Sequence, residues 1–272
     1  MKLFHKIKEL ITKLKNEPPQ DLSLDSEAQE PKKPKAFAFV DYEYWYYSYQ
    51  NLFHLKPDIV SWRNKLEEKY FLTDIMVFAN FANQKIRQEL IHIRKITNSI
   101  IETQQIMANF EKDMTDFIML DYVYQYVTEH PEVDTYILFT GDAHFQEAVK
   151  YLIHKHNKKV IVYGVKNSFS SQLKQIASES VELPITEEIY PLIVENMAYV
   201  STKWDIVPTF TATAKTISRR NNLPEEFVKL ALNEMLDKGL LYSHKQRVKF
   251  NEFVPVLAAN WENLERIGLW SY

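Results

Sequence analysis

From residue 36 to about 184, short apolar runs alternate with segments whose apolar residues recur at helical spacing. The runs "AFAFV" (36–40), "DIMVFAN" (74–80), "SIIETQQIM" (99–107), "TYILFT" (135–140), "KKVIVYGV" (158–165) and the closing "SVELP" (180–184) predict strands. Between them, "DIVSWRNKLEEKYF" (58–71, just after Pro57), "NQKIRQELIHIRKITN" (83–98), "DFIMLDYVYQYVTEH" (116–130, closed by Pro131), "AHFQEAVKYLIHKHN" (143–157) and "SSQLKQIAS" (170–178) predict helices. Tyr42, Trp45, Tyr46 and Tyr49 share one further helical stripe. Strands alternating with helices predict an α/β domain on a mainly parallel sheet, in which ligands gather at the carboxyl ends of the strands.

The pattern changes on either side. After residue 186 it predicts helices at 186–201, 209–220 and 224–238, two short strands within "LLYSHKQRVKF" (240–250) and a last helix over about 252–267. Three helices followed by a β-hairpin is the outline of a winged helix-turn-helix. Residues 1–16 place Leu3, Phe4, Ile7, Leu10, Ile11 and Leu14 on one stripe with lysines off it, a basic amphipathic helix. Its expected partner is its own protein, another protein or an anionic membrane surface. Residues 17–35 are proline-punctuated and lack aromatics, as a disordered tether does. The expected organisation is therefore an amphipathic helix (1–16), a tether (17–35), an α/β domain (36–184) and a winged-helix-like module (186–272).

Composition narrows the chemistry. The 272 residues contain no cysteine, which excludes thiolate catalysis and cysteine-bound zinc and suits a cytoplasmic location. A net charge of −3 moves any nucleic-acid role to local patches. None of the four glycines lies in a dinucleotide or P-loop phosphate cradle.

What remains is acidic. Asp41 directly follows the first strand, and Asp142 follows another on a Thr-Gly turn within "LFTGDAHF". Asp116 and Asp121 lie in "KDMTDFIMLDYVY", where Asp116 at the helix entrance, with "MTD" as cap, brings the two toward one place. Acids converging at one strand edge make a hard oxygen site for Mg²⁺ or Mn²⁺, able to activate water against a phosphodiester. The plain alternative is that each caps a helix, worth about 1 kcal/mol apiece.

In their order, "FVDYEYW", "VFANFAN", "KDMTD…LD", "LFTGDAHF" and "KKVIVYG…SSQLKQIASESVEL" resemble NYN domains of the LabA-like group, relatives of PIN nucleases. The resemblance covers about residues 36–184. It implies a Rossmann-like PIN/NYN fold and, in active members, metal-dependent cleavage of RNA, single-stranded RNA being the expected partner. Carried over by position, the catalytic acids are Asp41, Asp116, Asp142 and Asp121, with Asp41, Asp116 and Asp142 as metal ligands to Mg²⁺ or Mn²⁺. The chain also departs from the family: Tyr44 stands for Asn, Asn80 for Asp, His144 for the second Asp of the last motif, and Thr140 for Ser. The spacing from Asp116 to Asp121 is one residue short. His144 is a nitrogen ligand for Mn²⁺, a phosphate contact when protonated, or simply a polar residue of a first helical turn. A catalytically degenerate RNA-binding or scaffold protein is therefore the rival reading, and a membrane-peripheral regulator recruited by residues 1–16 a third.

The expected nucleic-acid contacts are Lys112, Tyr44, Tyr47, His144, Ser170, Ser171, Lys245, Arg247 and Lys249. Tyr44 and Tyr47 lie off the main aromatic stripe and are the rings free to stack on bases. Lys112 is either a phosphate contact or a solvated lysine. Residues 213–250 carry eight Lys/Arg against four acids, with Lys245, Arg247 and Lys249 in the expected wing. The third tail helix, "PEEFVKLALNEMLDKG", offers little to DNA base edges, so RNA backbone or protein contact fits better. NYN proteins often add such an RNA-binding module, and self-association into a homodimer is left open.

Overall fold

The computed structural model describes residues 33–107, 110–249 and 252–271, and of 104–107, 110–113 and 249 the backbone alone. The amphipathic helix expected at 1–16 and nearly all of the tether at 17–35 lie outside the described residues. Strand β1 (Lys35–Asp41) pairs in parallel with β2 (Phe71–Ala79) on one side and β6 (Thr135–Phe139) on the other. With β3 (Ile100–Glu102), β7 (Lys159–Val165) and β8 (Glu179–Leu183) they form a six-stranded parallel sheet in the order β3-β2-β1-β6-β7-β8. The chain runs outward from β1 through β2 to β3, then returns to β6 on the opposite side. The switch point thus falls between β1 and β6, where two successive connections leave in opposite directions and open a crevice.

Side-chain alternation along β1 assigns the two faces. Ala36, Ala38 and Val40 join the core with the aromatic helix α1 (Tyr42–Phe53), α2 (Ile59–Lys69) and α3 (Gln84–Ile93). Phe37 and Phe39 join the core with α4 (Thr115–Glu129), α5 (Gln146–His154) and α6 (Ser171–Ile176). The aromatic stripe is core: Tyr42, Trp45, Tyr46 and Tyr49 are buried, and the Trp45 ring stacks on Phe139 at 4.0 Å. The run 99–107, expected as one strand, divides into β3 and β4 (Gln104–Met107), which turns back antiparallel onto β5 (Phe110–Asp113).

The tail builds a third core from α7 (Tyr190–Ser201), α8 (Phe210–Asn221), α9 (Glu225–Asp237) and a hairpin of β9 (Leu241–Lys249) with β10 (Glu252–Ala259), before α10 (Trp261–Arg266). Residues 252–259, expected as helix, are a strand. Pro255 within that run forbids a helix interior but is tolerated where its missing N–H is not needed by a sheet. Lys245 and Arg247 therefore lie along β9, in register with Pro255 and Phe253. Residues 34–272 form one compact unit. Lys65 pairs with Glu188 at 2.5 Å and Lys166 with Glu234 at 3.3 Å, joining the sheet domain to the tail, and Phe227 packs on both cores. Among the described residues no helix is long and apolar enough to cross a membrane.

Candidate metal centre

Asp41 ends β1, and its neighbour across the switch point is the "TGD" turn after β6, because Val40 is in register with Phe139. Asp41 is buried and caps α1, its Oδ1 accepting from the Tyr44 N–H at 2.9 Å. Asp142 repeats the device: its Oδ1 accepts from the His144 N–H at 2.9 Å, opening a 3₁₀ turn at 143–145. The cap reading of these two acids is thus correct, and each nevertheless lines the same cleft of about 530 Å³ together with Asp116. Asp116 is not a cap. It is the second residue of α4, behind Met114, which occupies the cap position with no side-chain bond. That location sets its carboxylate at the positive end of the helix dipole.

Three of these groups can act as one. Donor atoms of Asp116, Asp142 and His144 all lie within 4.8 Å of one another. His144 Nδ1 is 3.1 Å from Asp142 Oδ1 and 3.6 Å from Asp116 Oδ2. Donors bound to one Mg²⁺ or Mn²⁺ at about 2.0–2.2 Å stand at most ~4.4 Å apart, so a small closure brings the cluster to ligand distance. Two half-exposed carboxylates and an exposed imidazole on the rim of a cleft suit a hard or borderline divalent ion open to substrate.

The wall behind the cluster is Tyr44. Its hydroxyl accepts from the Val165 N–H at 2.8 Å, donates to the Ser168 carbonyl at 3.3 Å and meets Ser168 Oγ at 3.0 Å. Burial raises its pKa above the usual tyrosine range, countered by the bonds from Ser168 and Val165. Gly141 is required here, since a Cβ would stand 2.2 Å from Tyr44 Oη and 2.5 Å from the Ser168 carbonyl oxygen. Tyr44 and Ser168 separate the main cleft from a second one of about 460 Å³, and Asp142 opens to both.

The other expected site residues are scattered. Asp121 is exposed and accepts a bond from Gln125 Nε2 at 2.7 Å, outside the cleft. Tyr44 is tied down by its hydroxyl and is no free stacking ring. Tyr47 lines the cleft, its hydroxyl accepting from Asn83 Nδ2 at 2.6 Å. Ser170 lines the second cleft and caps α6, accepting from the Leu173 N–H at 3.3 Å, while Ser171 is exposed in its first turn. Lys245 and Arg247 are exposed along β9, away from the cleft; the side chains of Lys112 and Lys249 are outside the described ones. Sequence reasoning missed Glu43, Ser48, Asn51 and Thr115, all of which line the main cleft. Glu43 also accepts from the Asn80 N–H at 2.9 Å, holding the end of β2. The helical spacing of 44, 47, 48 and 51 was the available signal.

Residues 35–184 match the NYN domain family. No curated protein matches the chain. Among solved structures, a protein of unknown function from Vibrio parahaemolyticus is similar over 58% of this chain and 97% of its own, with 24% identity and a TM-score of 0.51, a likeness of fold alone. Acinetobacter baumannii MurG is a remote match, 13% identical over 56% of this chain and 41% of its own, with a TM-score of 0.34.

Proposed function

The chain belongs to the NYN domain family, a PIN-like nuclease fold, and from that premise we propose that it is a metal-dependent ribonuclease acting on single-stranded RNA. The observation that carries the reading is the meeting of Asp116, Asp142 and His144 donor atoms within 4.8 Å, beside Asp41, at the switch point of a parallel sheet. PIN-like nucleases generally use divalent metals and NYN domains generally bind RNA, and this donor set fits Mg²⁺ or Mn²⁺. A cation held there supplies Lewis-acid polarisation of the phosphate and a more acidic water. The chain's own residues do the positioning. Asp116 and Asp142 offer carboxylate oxygens from two different elements, His144 offers Nδ1, and Asp41, fixed by its cap bond, keeps the cleft floor negative. Tyr44, held from three directions, keeps the Gly141–Asp142 turn from collapsing into the cleft. The nucleophile in this reading is water, since no nucleophilic side chain is needed.

We place Lys245, Arg247 and Lys249 as backbone contacts on a winged-helix-like tail, in a cytoplasmic protein. A second reading, an RNA-binding protein without catalysis, draws on one observation: the cleft beside the acidic cluster is walled by the Tyr44 ring, fixed through its hydroxyl to Val165 and Ser168, where the resemblance implies an asparagine. Incubation of single-stranded RNA with Mn²⁺ or Mg²⁺ decides between them. Cleavage by the wild type that Asp142→Asn abolishes supports the nuclease; RNA bound by both proteins and cut by neither supports the second reading.

A further inference from the structure

Trp204 is 93% exposed, the most exposed of the large hydrophobic residues among the described ones. It follows Lys203 in the segment between α7 and α8. That segment begins in a defined conformation, because Thr202 donates to the Tyr199 carbonyl from both its N–H and its hydroxyl, and the Lys203 N–H donates to Val200. Just before it, the half-exposed Tyr199 ring holds two cations: Lys203 Nζ and the Arg220 guanidinium each lie 5.4 Å from its centroid.

The other cations over aromatic rings differ in one respect. Lys174, over Phe169, is bonded to Glu182, and Lys238, over Tyr190, is bonded to Glu187 at 2.7 Å. Those charges are neutralised within the fold. Lys203 and Arg220 take part in no ion pair with a described residue, whereas Lys65, Lys166 and Lys229 each do. Two surface cations fixed on one ring, neither paired with a described carboxylate, are pre-organised for an anion supplied from outside. The chain around Trp204 is exposed and polar on the α7 side, through Ser201, Thr202 and Lys203, and continues through the exposed Asp205 into the half-buried Ile206, Val207 and Pro208. An anchor for a protein partner would sit among apolar contacts that exclude water, whereas an exposed ring next in the chain to a solvated cation is what a base-stacking platform offers.

We propose that Trp204, Tyr199, Lys203 and Arg220 form a second RNA-binding surface, distinct from the acidic cleft, on which an unpaired base stacks on the Trp204 indole while flanking phosphates meet Lys203 and Arg220. It rests on the RNA reading above only for the nature of the polymer. The experiment uses the full chain carrying Asp142→Asn, to prevent cleavage, and a fluorescent oligouridine of about 20 nucleotides, longer than one such platform engages. Trp204→Ala is expected to weaken binding about 5- to 150-fold, the loss of one stacked base. Arg220→Ala is expected to flatten the slope of log K against log salt by about 0.7, one phosphate contact on a single strand. Ile91→Ala, an exposed residue elsewhere, leaves both unchanged. RNA bound by the Asp142→Asn chain and cut by the wild type, with Trp204→Ala and Arg220→Ala binding within about twofold of the Asp142→Asn chain, overturns the platform and leaves the nuclease reading standing. RNA neither bound nor cut overturns both. Self-association lost in Trp204→Ala with RNA affinity unchanged assigns the surface to protein and overturns the platform as well.

Discussion

Gly141→Ala tests the architecture behind the metal centre with one added methyl group. The new Cβ would lie 2.2 Å and 2.4 Å from Tyr44 Oη and Cζ, and 2.5 Å from the backbone oxygen of Ser168. Ordinary carbon contacts are about 3.5–4.0 Å, so more than an ångström must be found. The ring cannot swing away freely, because its hydroxyl is bound to Val165 N–H and to Ser168. Nor can the backbone recede alone, since the Ser170 N–H donates to the Gly141 carbonyl at 3.0 Å. The strain is overpacking, which costs about 1–3 kcal/mol. For a body of this size that lowers the melting temperature by about 2–12 °C. It also shifts Asp142, the next residue, and so weakens divalent-metal binding. Removing the ring should relieve its two contacts, though not the one with the Ser168 oxygen, so Gly141→Ala costs less in a Tyr44→Ala background than alone, a coupling readable in a double-mutant cycle. Thermal unfolding of the four proteins measures it. Melting temperatures for Gly141→Ala within a degree of the parent, or simple additivity with Tyr44→Ala, would refute the reasoning.

Two further outcomes follow from the same structure. His144→Asp replaces an imidazole donor with the carboxylate that the family carries there; the ratio of Mn²⁺ to Mg²⁺ affinity should fall, as titration calorimetry reports, whereas an unchanged ratio would mean that His144 is no ligand. Stability should also decline at alkaline pH, because burial raises the hydroxyl pKa of Tyr42, Tyr49, Tyr136 and Tyr163, that of Tyr163 up to about 12. Below pH ~10 these groups are neutral in both states; above it the unfolded chain loses protons that the fold retains, so stability falls by about 1.4 kcal/mol per pH unit for each group until its folded pKa is passed. Absorbance at 295 nm should show them titrating only with unfolding.

The parallel sheet was legible because buried strands read as continuous apolar runs, and the chemistry because Asp41 follows one directly and Asp142 follows another across a Thr-Gly turn. Asp121 misled. Five residues of helix turn it ~140° from Asp116, and with Asp116 already in the first turn nothing brings the second acid back. The hairpin at 104–113 was hidden by a polar stretch with little alternation. The tail strand at 252–259 read as helix because Leu257, Ala258 and Ala259 outweighed Pro255, and because a two-stranded hairpin leaves Pro room at a position that needs no donor. The cleft role of Glu43 depends on where β2 ends beside α1, a fact of topology that no local pattern carries. Tyr44 was read as a stacking ring because it lies off the buried stripe; only the fold shows Val165 and Ser168 converging on its hydroxyl.

Titration of Mn²⁺ into the wild-type chain and Asp142→Asn, followed by the loss of the free-ion paramagnetic resonance signal, is the direct test of the centre. One ion taken up per chain by the wild type, and its loss or strong weakening in Asp142→Asn, is the predicted result. Equal uptake by both proteins, or uptake by neither, would contradict the assignment of Asp116, Asp142 and His144 as a metal site.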